Sequence, residues 1–374
     1  MHNCSSDKRL FANYTSVVRE ETPKKPLVLI WAIPYEIKFD PNDCKKYYNI
    51  SGCDLTYDRS LYQQADAVMF YHKSIRNVDH MPQGPRPQRQ KWIWYNVESP
   101  SNTQEIPGIY NKFNLTLSYR RDAGITARYE VAIKDEPTDD NFVLPKKDRL
   151  VCWIVSNMWS DGTQVRNAYY KELAKHIKVD VFGLGFSAEL PPESYYPTLQ
   201  SCKFYLAFEN SAHKDYMTEK MNGPLSSGTV PIVLGIPRDN YEEFVPSDSF
   251  IHVNDFPNAK AMAQHLLELD KNDEKYMKYF AWRRFYTATP HLLTLANEFT
   301  LPTCFACDHI SRDNRYSVVH NLFRRALVPP ASVDVVTLIF GLSAIHPDKM
   351  ASLSADKETM AEESRAMLLT AAAD

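Results

Sequence analysis

The sequence predicts an α/β protein of two domains, the first an irregular α/β unit and the second a doubly wound parallel sheet. Three observations carry this. Apolar, β-branched and aromatic runs of strand length recur along the chain, separated by polar or helical segments. At 374 residues the chain is long enough for two domains of ordinary size. A charged, aperiodic stretch with two prolines, DEPTDDNFVLPKKDR (residues 135–149), divides it near the middle.

Residues 1–25 are polar and end in TPKKP, which reads as a stem or linker. The first domain, 26–145, holds a buried strand at Leu27–Ile33 and further strands at Ala67–Tyr71, Trp92–Val97 and Leu115–Tyr119. The Pro-rich break MPQGPRPQ separates two of them. The second domain, 146–325, opens with a strand at Leu150–Val155. A helix over Val165–His176 follows, its apolar positions at Val165, Tyr169 and Leu173, and then a strand at Val179–Phe182. Later come a short strand at Phe250–Val253 and helices at Ala259–Asp270 and Glu274–Arg284. Residues 326–374 look like an added tail, disordered or loosely packed, whose last part has helix-forming composition and weak punctuation.

Between these elements lies the most informative stretch, CKFYLAFENSAHKDYMTEKMNGPLSSGTVPIVLG (Cys202–Gly235). The strand Phe204–Phe208 stops abruptly at Glu209, Asn210 and Ser211, polar residues with no reason to be in a core. Asp215 and Thr218 can cap a helix whose first turn carries Glu219 and Lys220, and a second buried strand follows at Val230–Leu234. In a parallel sheet this βαβ unit puts its polar tip at the carboxyl end of the strands, where ligands bind and helix N-termini favour phosphate.

About thirty residues of that stretch resemble, in order and spacing, the donor-binding signature of the α1,3-fucosyltransferases, glycosyltransferase family 10. The likeness runs from about Pro26 to Arg325 and includes KWIWYNVESP, FNLTLSYRRDAGI, VCWIVSN, VDVFG, DSFIHVNDF and CFACDH. The resemblance implies a GT-B fold, two Rossmann-like domains facing a cleft. It implies an inverting α1,3-fucosyltransferase that moves L-fucose from GDP-β-L-fucose to the 3-hydroxyl of a GlcNAc residue in glycoprotein or glycolipid glycans. It also implies that no metal cofactor is required, cationic side chains taking its place, with a divalent cation at most stimulatory.

Such a transfer needs a base on the acceptor hydroxyl, positive charge for the departing diphosphate, and a held sugar. Glu98 follows the strand WIWYNV and precedes Ser99-Pro100, so a turn exposes it at a strand's carboxyl end. A Glu so placed is usually a solvated loop residue; the match to the family's ESP element makes it the proposed base. Arg166 and Lys220 match the family's diphosphate ligands. Lys220 stands beside a helix N-terminus, and Arg can bind phosphate bidentately. Tyr216 and Glu219 resemble the donor-holding pair, and Ser156, Asn157, Tyr205, Glu209 and Asn210 resemble further donor contacts. Met221-Asn222-Gly223-Pro224 departs from the family's helical run. Gly costs about 1 and Pro about 3 kcal/mol inside a helix, so the helix is expected to start late, kink or be short. That motivates the contrasting reading, a weak or inactive relative that binds glycan or nucleotide.

A net charge of −3 with no basic stripe argues against nucleic acid as a partner. No D-x-D follows a donor strand and no carboxylate or His cluster has ligand spacing, so no metal site is expected. Cys304 and Cys307 form a CxxC, but a zinc site would lack its second half. Sequons begin at Asn3, Asn13, Asn49 and Asn114, with Asn13, Asn49 and Asn114 the expected glycan acceptors. Together with seven cysteines they favour an oxidising compartment and structural disulfides. The resemblance implies that Cys44 and Cys53 tie back to Cys304 and Cys307 and that Cys152 joins Cys202, leaving Cys4 free. It further implies a Golgi lumen location, membrane association coming only through an anchor not present in this chain. No run of about 18 apolar residues could span a bilayer; the nearest, Val333–Ile345, includes Asp334.

Overall fold

The computed structural model describes residues 24–322 apart from 128–131, 135–136, 139–141, 160, 289, 291–298, 314 and 321. The expected stem up to residue 23, the tail at 326–374, Cys4, Asn3 and Asn13 lie outside the described residues.

The first domain is more regular than its sequence suggests. β1 (Leu27–Ala32), α1 (Asp43–Tyr48), β2 (Asp54–Thr56), β3 (Ala67–Tyr71), β4 (Lys91–Tyr95), β5 (Leu115–Ser118) and β6 (Ile125–Thr126) build a six-stranded sheet of order β2-β1-β3-β4-β5-β6. Every pair in it is parallel. The central strands are unbroken apolar runs because both faces are covered. Val28, Ile30, Met69, Tyr71, Ile93, Tyr95 and Leu117 pack on one face, and Leu29, Val68, Phe70, Trp92 and Trp94 on the other, as a period of two requires.

Past β7 (Ala132–Ile133) the chain enters the second domain. Its elements are β8 (Arg149–Ile154), α2 (Gln164–Leu173), β9 (Val179–Phe182), α3 (Tyr195–Ser201), β10 (Cys202–Phe208), α4 (Glu219–Ser227), β11 (Val230–Leu234), α5 (Arg238–Glu242), β12 (Ile251–His252), α6 (Ala259–Asp270), α7 (Asp273–Met277) and β13 (Tyr286–Thr287). The helix expected over Glu274–Arg284 is instead α7 followed by a 3-10 turn at Lys278–Arg284. The sheet is all parallel, of order β12-β11-β10-β8-β9, while β13 pairs antiparallel with β7. Trp153, Phe204, Leu206, Phe208, Ile232 and Leu234 face α2 and α6; Cys152, Tyr205, Ala207 and Val233 face α3 and α4. Read by position along each domain, the first sheet has the order 2-1-3-4-5-6 and the second 2-1-3-4-5, and each opens a crevice at the carboxyl ends between its first and third strands.

One boundary is corrected. Residues up to 325 are expected in the second domain, yet α8 (Thr300–Arg312) packs its Cys304, Ala306, Cys307 and Ile310 on the first sheet. Val319 and Leu322 join the core on that sheet's other face. The first sheet has too few helices of its own to cover its apolar faces, and the returning chain supplies the cover. Three disulfides stand in the structure: Cys44–Cys304, Cys53–Cys307 and Cys152–Cys202.

Candidate active site

The strand ends of the two sheets meet through three loops: Asn96–Thr103 after β4, Val155–Thr163 after β8, and Glu209–Thr218 after β10. Glu98 sits in the first. Its backbone N–H donates to Asn96 Oδ1 at 3.3 Å, and Oε1 accepts from the Ser99 N–H at 2.8 Å. The same oxygen accepts from Tyr216 Oη at 2.8 Å and Asn210 Nδ2 at 3.5 Å, both from the second domain. Burial, reinforced by the Glu98 charge, pushes the Tyr216 phenol well above its ordinary range. It therefore stays protonated and available as a donor. Glu98 is thus a partly exposed carboxylate whose orientation is set from across the cleft.

On the donor side, Glu209 ends β10 and is only 4% exposed. Its carboxylate accepts from the Thr218 N–H and hydroxyl, both at 2.9 Å, and faces Lys220 Nζ at 3.4 Å. Burial pushes the Glu209 carboxyl up, against the pull of the Lys220 ammonium. Burial also acts against the charged form of Lys220, but Glu209 and Glu219, the latter 3.0 Å away, outweigh it and hold the ammonium above its ordinary value. Thr218 is the N-cap of α4, its Oγ1 accepting from the Lys220 N–H.

The helix does not start late. It begins at Glu219 and is short, nine residues, with Pro224 inside it. Ser226 and Ser227 hydroxyls cover the Gly223 carbonyl at 2.9 and 2.8 Å. A Cβ on Gly223 would lie 2.7 Å from Tyr195 Oη and 3.2 Å from Leu199 Cδ1, so the glycine admits the close approach of α3. The helix is thus short, as expected, and Lys220 stands in its first turn, its backbone N–H donating to the Thr218 cap.

Arg166 opens α2 at the switch point of the second sheet. It is 3% exposed, donates from NH1 to the Phe208 carbonyl at 3.1 Å and from NH2 to the Asn157 carbonyl, and lies over Trp153. Burial lowers its pKa. Among the described residues no carboxylate pairs with it, and its Nε has no hydrogen-bond partner. Glu209 and Glu219 offset part of the cost of burying its charge, and a bound anion would offset more. Ser156 and Asn157 are exposed on the same loop.

Two expectations change. Tyr205 is 1% exposed, packs under the sheet and donates its hydroxyl to the Ile154 carbonyl at 3.2 Å, so it floors the site rather than facing the cleft. Asp215 does not cap α4. It takes φ of 65° and accepts from the Arg121 N–H at 3.1 Å, Arg121 Nε at 3.2 Å and Asn240 Nδ2 at 3.0 Å. Burial opposes ionisation of Asp215, but Asn240 and Arg121 outweigh it and hold the carboxyl below its usual range. Arg121, Asp215 and His213, which make this bridge between the domains and the contact with Ser101, lie inside YRRDAG and ENSAHKDY. Nothing local marks their partners.

Away from the cleft, Asn114 cannot carry the expected glycan in this fold. It is 2% exposed, accepts from the Trp92 N–H at 2.8 Å, bonds Arg86, and donates to the Ser317 carbonyl at 2.6 Å. Asn49 remains exposed at the end of α1. Among the described residues no group of three or more His, Cys, Asp or Glu could hold a metal, and no helix is long and apolar enough to cross a membrane.

Two family models cover most of the chain: "Fucosyltransferase, N-terminal" over residues 23–130 and "Glycosyltransferase family 10 (fucosyltransferase) C-term" over 144–325. The chain belongs to glycosyltransferase family 10. Among curated members it is 42% identical over 317 residues to "4-galactosyl-N-acetylglucosaminide 3-alpha-L-fucosyltransferase 9" of Mus musculus, covering 84% of each protein. The human protein of that name gives the same figures. It is 40% identical over 312 residues to "3-galactosyl-N-acetylglucosaminide 4-alpha-L-fucosyltransferase FUT3" of Pan troglodytes, covering 81% of this chain and 82% of that one. The crystal structure of an alpha1,3-fucosyltransferase with GDP-fucose superposes with a TM-score of 0.52 at 17% identity, over 85% of this chain and 96% of the other. Family 10 membership makes the chain a glycosyltransferase of the fucosyltransferase type with the GT-B arrangement.

Proposed function

We propose that this family 10 member is an inverting α1,3-fucosyltransferase, transferring L-fucose from GDP-β-L-fucose to the 3-hydroxyl of a GlcNAc residue in glycoprotein or glycolipid glycans within the Golgi lumen. One observation carries the reading. A partly exposed carboxylate, Glu98, faces from the first domain a second-domain loop system that holds Arg166 and Lys220 near strand ends. In the reaction, Glu98 takes the acceptor 3-hydroxyl proton as that oxygen bonds to fucose C1. The C1–O bond to the β-phosphate breaks on the opposite face, and its electron pair leaves with GDP. Attack from the face opposite the leaving diphosphate inverts the β-linked donor to the α product. Arg166 stabilises the charge gathering on the diphosphate, with Lys220 beside it at the N-terminus of α4. Thr218 and the Glu209 carboxylate keep α4 in register. The relatives' names, which specify 3- and 4-fucosylation of galactosyl-N-acetylglucosaminides, support a GlcNAc acceptor.

The test is purified protein with GDP-fucose and an acceptor array of lactosamine, LacdiNAc and N-glycan core sugars. Transfer to a 3-hydroxyl is expected, and Glu98→Gln should cut it by ~10²-fold or more with GDP binding almost unchanged. Near-normal transfer by Glu98→Gln would remove the base assignment. Tight GDP binding by the wild type with no turnover would make the protein a nucleotide-binding relative.

A further inference from the structure

The turn that carries Glu98 is held from the other domain at a second point, two residues beyond the carboxylate's own contacts. His213, 3% exposed on the Glu209–Thr218 loop, places Nε2 2.7 Å from Ser101 Oγ and 3.3 Å from the Ser101 backbone N, whose N–H donates to it. Nε2 is therefore the acceptor of the Ser101 N–H. Ser101 is the middle residue of the 3-10 turn Pro100–Asn102. That turn is stiffened from within: Thr103 Oγ1 donates to the Ser99 carbonyl at 2.7 Å and accepts from Asn96 Nδ2 at 2.9 Å. A shift at Ser101 must then pass to Ser99, whose N–H holds Glu98 Oε1. On the far side the histidine loop is itself wedged. A Cβ on Gly162 would come within 2.2 Å of the Asn210 carbonyl oxygen, so the turn leading into α2 lies directly against the residue that also reaches Glu98.

We propose that His213 is a positioning residue: by accepting from Ser101 it fixes the Glu98 turn, so the donor domain sets the geometry of the acceptor-side base. This rests on the reading of Glu98 as that base. His213 touches neither reacting group, and its effect should fall on turnover rather than on nucleotide binding. An angstrom of misplacement at a catalytic group can cost about 10²-fold.

The experiment compares His213→Leu, His213→Gln and Ser101→Ala with Glu98→Gln, reading hydrogen exchange of residues 99–103, GDP affinity, and kcat and KM for transfer. Leucine fills the space without an acceptor, while Gln offers Oε1 near the position of Nε2. Expected are faster exchange at 99–103 and a fall in kcat of about tenfold or more for His213→Leu, with GDP affinity unchanged. His213→Gln should recover most of both. Ser101→Ala, on the exposed partner, keeps its N–H and should cost only about two- to tenfold in kcat. Unchanged exchange in folded His213→Leu, or failure of Gln to restore it, overturns the proposal. Faster exchange with unaltered kcat overturns its role in transfer. Should Glu98→Gln retain full activity, the base assignment falls by itself, and the exchange data still decide whether His213 holds the turn.

Discussion

Around Glu209 and Lys220 the charges are almost balanced before any nucleotide binds. Lys220 has two carboxylates within 3.4 Å, whereas Arg166, the more buried of the two, donates to backbone carbonyls and feels Glu209 and Glu219 only beyond ion-pair distance. The two cations therefore differ in what they offer an anion. On the proposed reading Arg166 brings the less compensated charge, and Lys220 would share its ammonium between phosphate and Glu209. Lys220→Ala should remove one charge-assisted contact, worth roughly 1.5–3 kcal/mol. It also leaves Glu209 buried without its counter-charge, which drives that carboxyl further toward the protonated form. Calorimetry should show weaker GDP binding together with slower transfer. GDP bound as tightly as by the wild type would mean that Lys220 does not touch the phosphates.

Among the elements, the packing of loops on strand ends decides where these side chains stand. Gly162 lets the turn before α2 lie flat against the end of β10, and its substitution meets a backbone oxygen, which cannot rotate away. Gly162→Ala is expected to cost about 1–3 kcal/mol of stability as an overpacked contact, and to weaken GDP binding because Arg166 and Asn210 move apart. A denaturation midpoint and a GDP titration equal to the wild type's would show that the turn relaxes freely. The sequence marks elements unevenly for a physical reason. β3, β11 and α6 have the expected limits because their apolar runs are buried along their length or carry a clean helical period, and the half-buried edge strand β9 keeps its expected limits too. β2 and β6, three and two residues long at sheet edges, bury too little to leave a pattern. α3, YYPTLQS, contains a proline, and α8 lies in a stretch whose cysteines and threonines hide its period. The loops of the site are legible through their polar tips at strand ends. Their partners are not: Tyr216–Glu98, His213–Ser101 and Asp215–Arg121 join residues some hundred positions apart, and only the closed fold brings them together.

At the scale of the molecule, the chain begins and ends its described course on the same sheet. α8 covers the face formed by Val28, Met69, Ile93 and Leu117, and two bridges fasten it to α1 and to the segment entering β2 across separations of 260 and 254 residues. The second domain is thereby inserted between two parts of the first, and the cleft between them is held at both ends of the insertion. Loops of that length are where a cross-link restricts the unfolded chain most. One such bridge should contribute above ~4 kcal/mol by chain entropy, and its neighbour less, because the first has already brought the ends together. Cys152–Cys202 closes only 50 residues within the second domain and should act locally. Reduction should therefore lower the unfolding midpoint far more through the paired α8 bridges than through Cys152–Cys202. Cys44→Ala/Cys304→Ala combined with Cys53→Ala/Cys307→Ala should be less stable than Cys152→Ala/Cys202→Ala and should lose transfer first, as α8 lifts from the sheet that positions Glu98. Peptide mapping without reductant should recover Cys44 linked to Cys304 and Cys53 to Cys307. Free thiols at all four positions in an active preparation would show that packing alone, without the bridges, holds the chain's return to its first domain.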